Sequence, residues 1–307
     1  MTAPSQAIRC TSALHAVVVT YRRPLQLELT LSALSRQTRP PDSIVIVDND
    51  PTESARSIVE GINGLTYLPA HDNLGPAGGI ALGMIGVLAK SDGDDSVLLI
   101  DDDDPPPHVD TVERLLHSLK LAQTQGHRCA GVALTGARYR RTRGDFVRVP
   151  DSELSGLVQV DYLGGGQCPI YVVDALRSVS GSDIGLFFGF DDADLGLQFR
   201  KAGWELLIPG DLWMAMRKLN GRQGVGTPQR SATPAAPWRQ YYSSRNAIHL
   251  ARRYGTRRAV LETALRGFVL TPAHRWIRQR SAPSARAAAS GTLAGLRREL
   301  GRTVDPT

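Results

Sequence analysis

The chain has 307 residues, 42% of them apolar and 21% charged, with a formal net charge of +6. That length suits one large domain or one and a half, with a sizeable core, in a soluble globular protein. Three scattered cysteines (Cys10, Cys129, Cys168) argue against a disulfide framework or a zinc centre and fit a reducing cytoplasm, and no apolar stretch approaches the roughly 18 to 20 residues of a membrane span.

Residues up to about Ser12 read as a loose leader without the apolar core of a signal peptide. Ala16 to Thr20 (AVVVT) is a short β-branched run, read as a buried strand that stops at Tyr21-Arg22-Arg23-Pro24. Pro24 suits the first turn of a helix, and Leu25 to Gln37 has helical apolar spacing. Ile44 to Asn49 holds a second strand, Thr52 to Ile62 predicts a helix, and Leu65 to Leu68 a third strand. The glycine-rich turn NLGPAGG, Asn73 to Gly79, feeds a helix over Ile80 to Ala89, and Ser96 to Ile100 is a fourth strand that runs into aspartates. Alternating strands and helices, with continuously apolar strands, predict an α/β fold: a mainly parallel sheet flanked by helices. Ligands in such sheets bind beyond the carboxyl ends of the strands. Three polar motifs sit there: Thr20 to Arg23, Asp48 to Asp50, and Asp101 to Asp104.

Further on, a helix is predicted over Val109 to Gln123, then an irregular stretch containing RYRRTRGD (Arg138 to Asp145), then a strand over Val158 to Leu163. A loop GGGQCP (Gly164 to Pro169), a short strand (Ile170 to Val173) and a helix (Asp174 to Val179) follow. Phe187 to Trp204 reads as an acidic loop turning into a helix, and Glu205 to Pro209 as a last strand. From Trp238 onward the chain predicts helices rich in Ala, Leu and Arg, broken near Pro272 and Pro283, with a low-complexity, flexible segment over Ser281 to Thr292. The expected division is an α/β domain over 13–237 and a basic helical region over 238–307.

Four motifs carry chemistry. Adjacent carboxylates at Asp101 to Asp104 can jointly hold a hard divalent cation, and a strand that persisted would point Asp101 and Asp103 the same way. An isolated run of this kind is equally compatible with a solvated acidic loop, but the strand before it fixes one end. The NLGPAGG turn brings backbone N–H groups to a helix N-terminus that favours an anion, although a plain tight turn is the commoner meaning. In GFDDADLG, Gly189 to Gly196, three aspartates crowd a helix start beside three phenylalanines. Capping explains one or two of them, and a third suggests a general base in a partly dry pocket. YYSSRN, Tyr241 to Asn246, reads most simply as a core tyrosine pair and a surface arginine.

Taken in order, VVVTYRRP, IVIVDND, DNLGPAGG, LLIDDDD, FFGFDDADLGLQFRKAGW and YYSSRN resemble the family 2 inverting glycosyltransferases of GT-A fold, over roughly Ala16 to Arg253. The resemblance implies transfer of a sugar from a UDP- or dTDP-sugar to a glycan or polyprenyl-linked acceptor in cell-envelope polysaccharide synthesis. It implies a donor site lined by Thr20, Tyr21 and Arg23, with Asp48 on the base and Asn73 and Gly79 near the diphosphate. Asp101 and Asp103 would hold Mg²⁺ or Mn²⁺, with Asp102 and Asp104 as the alternative register and Asp102 otherwise assigned to the donor. Asp192 would be the catalytic base, with Asp191 second. Many relatives carry a metal-binding histidine after the strand matching Glu205 to Pro209; here GDLWMAMRKLN has none, and the next is His249. The cation would then rest on Asp101, Asp103 and the diphosphate alone, or bind more weakly. The LGPAGGIALGM run is similar to that of actinobacterial galactofuranosyltransferases, with rhamnosyl transfer nearly as compatible. The arginine-rich C-terminal helices suggest a cytoplasmic protein peripheral at the inner membrane face. A competing reading is a non-catalytic relative that holds a nucleotide-sugar or polysaccharide, against which the intact GFDDAD segment argues. A nucleic-acid partner is not expected, since neither interleaved aromatics nor a recognised module is present.

Overall fold

The computed structural model describes residues 12–224, 236–277 and 279–306. The expected leader and Cys10 lie outside the described residues.

Strands β1 (Leu14–Thr20), β2 (Ser43–Asp48), β3 (Leu65–Pro69) and β4 (Ser96–Asp101) are mutually parallel in the spatial order β3-β2-β1-β4. Their connections are α1 (Pro24–Ser35), the short α2 (Arg56–Val59) and α3 (Gly75–Leu88). The predicted helix over Thr52 to Ile62 shrinks to those four residues, because Asp50 caps the turn before it by accepting from Thr52 N and Oγ1 at 3.1 and 2.8 Å. Beyond β4 the sheet becomes mixed. After α4 (Thr111–Thr124) come β5 (Cys129–Val132), β6 (Gly136–Arg140), β7 (Asp145–Val147), β8 (Leu157–Val160), β9 (Tyr162–Leu163) and β10 (Ile170–Val172). Then follow α5 (Val173–Arg177), α6 (Asp191–Lys201), β11 (Glu205–Pro209) and α7 (Gly210–Leu219). The main sheet has eight strands, β3-β2-β1-β4-β10-β5-β11-β8, and β7-β6-β9 form a second, small sheet.

Two of these differences have a local cause. The stretch expected to be irregular contains β5 and the β6–β7 hairpin, where burial alternates along Gly136–Arg140 and the arginines face outward. The single strand expected over Val158 to Leu163 is split at Asp161, whose carboxylate accepts from Tyr139 N at 2.7 Å and Arg200 Nε at 3.1 Å. That residue turns the chain from one sheet into the other.

The C-terminal part is helical, as expected: α8 (Pro237–Tyr254), α9 (Arg257–Leu265), a π-helical turn (Arg266–Leu270), α10 (Thr271–Ile277) and α11 (Ala282–Arg297). Pro272 and Pro283 stand in the first turns of α10 and α11, where a missing N–H costs little. The segment expected to be flexible is α11 itself. Its small residues let two helices touch: a Cβ on Gly291 would lie 2.2 Å from Tyr241 O, and one on Gly295 would lie 2.6 Å from Arg245 O.

The main core lies on both faces of the sheet, around Val17, Val18, Ile46, Leu98 and Phe199, all nearly solvent-free. Helix α3 packs on β1 and β2 through glycine. A Cβ on Gly83 would meet Val17 Cγ1 at 2.3 Å and Val47 Cγ2 at 3.1 Å, both stiff β-branched side chains at the sheet centre. Gly83→Ala should therefore lose about 1–3 kcal/mol through overpacking, despite alanine's better helix propensity, as read by the midpoint of urea unfolding.

Candidate active site

Parallel strands β1, β2 and β4 end side by side, so the three polar motifs that follow them share one edge of the sheet. The aspartate run does not continue β4. The chain turns after Asp101, with Asp104 N donating to Asp101 O at 3.3 Å, and this corrects the expectation that strand alternation aligns Asp101 with Asp103. Asp102 points inward. It accepts from Thr20 Oγ1 at 2.7 Å, Tyr21 N at 3.4 Å and Arg23 Nη1 at 3.4 Å, while its carbonyl accepts from Thr30 Oγ1 at 2.7 Å. Arg23 also pairs with Asp103. Thr20, Tyr21, Arg23, Asp102 and Asp103 thus form one cluster, which ties β1 and α1 to the end of β4.

Asp101 has no such partner among the described residues. Burial first, and then the charges of Asp104, Asp103, Asp102 and Asp192, push its carboxyl up to about 7. It shares a cavity of about 370 Å³ with Asp191, Asp192, Tyr171 and Phe190. Asp191 and Asp192 begin α6. Burial, followed by the neighbouring charges of Asp192 and Asp101, raises Asp191 to about 8. Asp192 accepts from Gly165 N at 3.1 Å and Ala193 N at 2.7 Å, donors that favour its ionised form and oppose the upward push of burial. Both carboxyls of the pair are pushed up, and the two backbone donors tilt the charge toward Asp192. The loop Gly164 to Gly166 is the bridge: Gly165 N holds Asp192, and Gly166 lies so close to Asp104 that a Cβ would fall 1.8 Å from its Oδ2.

The loop that precedes α6 is strained. Phe187, Gly189 and Phe190 have φ of +59°, +75° and +68°. The two phenylalanines cost about 1–3 kcal/mol each unless the surroundings hold them. Asn246 supplies that hold, its Nδ2 donating to the carbonyls of Leu186, Phe188 and Gly189 at 3.0, 3.0 and 2.9 Å. Arg245 donates to Leu186 O at 2.8 Å and Gly185 O at 3.1 Å, and to Gly301 O at 2.6 Å. The expected surface arginine is therefore fully buried: its charge is spread over carbonyls and over the Tyr242 ring 4.6 Å away. YYSSRN is the clamp on the GFDDAD loop, a role its sequence does not state.

The remaining expected donor residues lie around this centre. Asp48 is fully buried and accepts from Asp50 N, Ala55 N and Tyr67 OH, each at 2.9 Å, so the protein itself covers the carboxylate expected to contact the base. Asn73 is buried, and its Oδ1 accepts from Gly75 N at 2.9 Å. Gly79 faces β1, where a Cβ would lie 2.5 Å from Val19 Cγ1, so close packing alone requires glycine there. The chain expected to lack a metal-binding histidine forms α7. His249, on α8, sits 3.5 Å from Asp183 Oδ2, and ligand atoms of Asp183, Asp194 and His249 lie within 4.8 Å of one another. Arg253 Nη1 already stands among them, 3.1 and 3.2 Å from the Asp194 oxygens and 3.2 Å from Asp183, so a guanidinium supplies the positive charge at that position. Among the described residues Asp101 has no cation of its own, and with the neighbouring carboxylates it offers an all-oxygen donor set suited to Mg²⁺ or Mn²⁺.

A strand-end carboxylate cluster facing a helix-borne Asp-Asp pair, on a sheet that begins parallel and ends mixed, is the arrangement of a GT-A glycosyltransferase. The chain belongs to glycosyltransferase family 2, whose model matches residues 16–152. It is 31% identical over 207 residues to the galactofuranosyltransferase GlfT1 of Mycolicibacterium smegmatis, covering 63% of this chain and 67% of that protein. It is 47% identical over 83 residues to GlfT1 of Mycobacterium tuberculosis, a match that spans 26% of this chain and only 27% of that relative's length. Two solved structures share the fold. The mannosyltransferase PcManGT from Pyrobaculum calidifontis, in complex with GDP-Man and Mn²⁺, has a TM-score of 0.52 at 17% identity, over 93% of this chain and 76% of that one. TarS 1–349 of S. aureus, in complex with UDP-GlcNAc, has a TM-score of 0.51 at 14% identity, over 92% and 81%.

Two outcomes are expected. Asn246→Ala leaves the carbonyls of Phe188 and Gly189 without their donor and should cost about 1–3 kcal/mol in denaturant unfolding. Asp101 and Asp191 bind protons more tightly folded than unfolded, so the metal-free protein should lose stability as pH rises from about 4 to about 8, the opposite sign from an ion-paired aspartate. Thermal unfolding across that range, repeated on Asp101→Asn, measures it; the variant should show a shallower loss.

Proposed function

We propose that the chain is an inverting glycosyltransferase that moves a sugar from a UDP- or dTDP-sugar to a hydroxyl of a glycan or polyprenyl-linked acceptor in cell-envelope synthesis. The galactofuranosyltransferases among its relatives make a galactofuranosyl unit the first donor sugar to test. The catalytic part would be residues 13–237 and the basic helical part 238–307, with the protein cytoplasmic and peripheral at the membrane. No helix among the described residues is long and apolar enough to cross a membrane.

The observation that carries the reading is Asp192, which accepts a hydrogen bond from Gly165 N, a donor that favours its ionised form, in the same cavity as Asp101. In this reading the acceptor hydroxyl oxygen attacks the anomeric carbon as the bond to the diphosphate oxygen breaks. Asp192 takes the hydroxyl proton, and attack from the face opposite the leaving group inverts the configuration. Asp191, kept protonated, adds no second charge to repel the incoming oxygen. Arg23 lies on the donor side, where negative charge builds on the leaving diphosphate. Asp101 and Asp103 would hold the Mg²⁺ or Mn²⁺ ion, which when bound supplies a positive charge that stabilises that leaving group.

The test is release of nucleoside diphosphate from a panel of UDP- and dTDP-sugars, with a polyprenyl-linked acceptor extract and Mn²⁺ or Mg²⁺, and the anomeric configuration of the product read by NMR. Asp192→Asn should lower transfer by about 10²–10⁴-fold and leave nucleotide binding intact, and chelation of the divalent ion should stop turnover. Retained activity in Asp192→Asn would overturn the base assignment. Nucleotide binding without turnover on any donor would favour the non-catalytic relative.

A further inference from the structure

The C-terminal helices expose an apolar edge that the transfer chemistry does not use. Leu261, Leu265, Phe268, Leu270, Trp276 and Ile277 are between 41% and 72% exposed, all within α9, the π turn and α10. Leu261, Leu265 and Phe268 form a stripe at helical spacing, and Phe268, Val269 and Leu270 are exposed in succession along the π turn. A concentration of this kind marks an interaction surface, whereas single exposed apolar residues do not.

Charge identifies the partner. From Arg239 to Arg298 the sequence has thirteen arginines and one acid, Glu262. Exposed Arg257 and Arg258 flank the apolar edge on one side and exposed Arg280 on the other. A second copy laid against this surface would set arginines against arginines. An anionic bilayer supplies both complements: acyl chains for the apolar side chains and headgroups for the guanidiniums.

We propose that the edge formed by α9, the π turn and α10 docks on the surface of an anionic membrane, with Trp276, Ile277 and Phe268 to Leu270 in the headgroup–acyl boundary. This rests on the peripheral placement proposed above and names the surface responsible. A cleft of about 520 Å³ lies beside the docking edge, lined by its Gly267 and Thr271 and by Phe190, a residue that also lines the separate cavity of Asp191 and Asp192.

The full-length protein is co-sedimented with neutral phosphatidylcholine vesicles and with vesicles containing phosphatidylglycerol, at low and high salt, without substrates. Binding to the anionic vesicles that weakens with salt is expected, and Phe268→Ser/Trp276→Ser should reduce it by about tenfold or more. Leu29→Ser/Ile85→Ser, which removes equally exposed side chains from α1 and α3, should leave binding unchanged. All three proteins should share one thermal midpoint within a few degrees, since only exposed residues change. No binding to anionic vesicles, or binding that the first variant leaves intact, overturns the proposal. A wild-type dimer that the same variant dissociates, with no vesicle binding, would assign the edge to a second copy. Transfer to a water-soluble acceptor fragment should persist in the docking variant, so loss of docking and loss of the glycosyl-transfer reading are read separately.

Discussion

Like charge in a dry place is the constraint around which this protein is built. The end of β4 and the start of α6 bring Asp101, Asp102, Asp104, Asp191, Asp192 and Asp194 into one region, where each carboxylate raises its neighbours. The fold answers some of these charges and leaves others. Asp102 receives Thr20, Tyr21 N and Arg23; Asp194 receives Tyr254, Gln198 and Arg253. Asp192 receives two backbone N–H groups, which favour its ionised form. Asp101 and Asp191 get no cation from the described residues. The aspartates are thereby sorted into those the fold partners, one that backbone donors hold and two that burial leaves unanswered.

That sorting requires the loop before α6 to stay where it is, and the C-terminal helices keep it there. Two phenylalanines, Phe187 and Phe190, sit at positive φ and would relax if the loop around them were free. Arg245 and Asn246 hold that loop from α8 through the carbonyls of Gly185, Leu186, Phe188 and Gly189, and α8 is itself seated by the glycine contacts of α11. Cost is incurred at the active site and offset some distance away in sequence. The basic helices are accordingly a support of the catalytic centre on one side and an exposed apolar edge on the other.

The first half of the fold and the position of the site were legible because their signals are local. Continuous β-branched runs, a proline at a helix start and a strand ending in four aspartates each follow from a few adjacent residues, and β1 to β4 fall where those signals put them. Short strands such as β5 and β7 carry too few residues to show a period. The alanine-rich α11 has the composition of a flexible linker and becomes a helix because α8 covers its small face.

What the sequence determined by itself is the α/β class, the family and the motifs that meet at one end of the sheet, because periodicity and ordered motifs are properties of the chain. Only tertiary structure decided which aspartate does what. Asp101 to Asp104 are chemically identical, and they differ because a turn begins at Asp102 and faces it toward Thr20 and Arg23. It also decided that Arg245 is buried, since the carbonyls it satisfies lie about sixty residues earlier in the chain and come within reach only when α8 packs on the loop. A charge is tolerated or not according to its neighbours in space, and no local pattern records those.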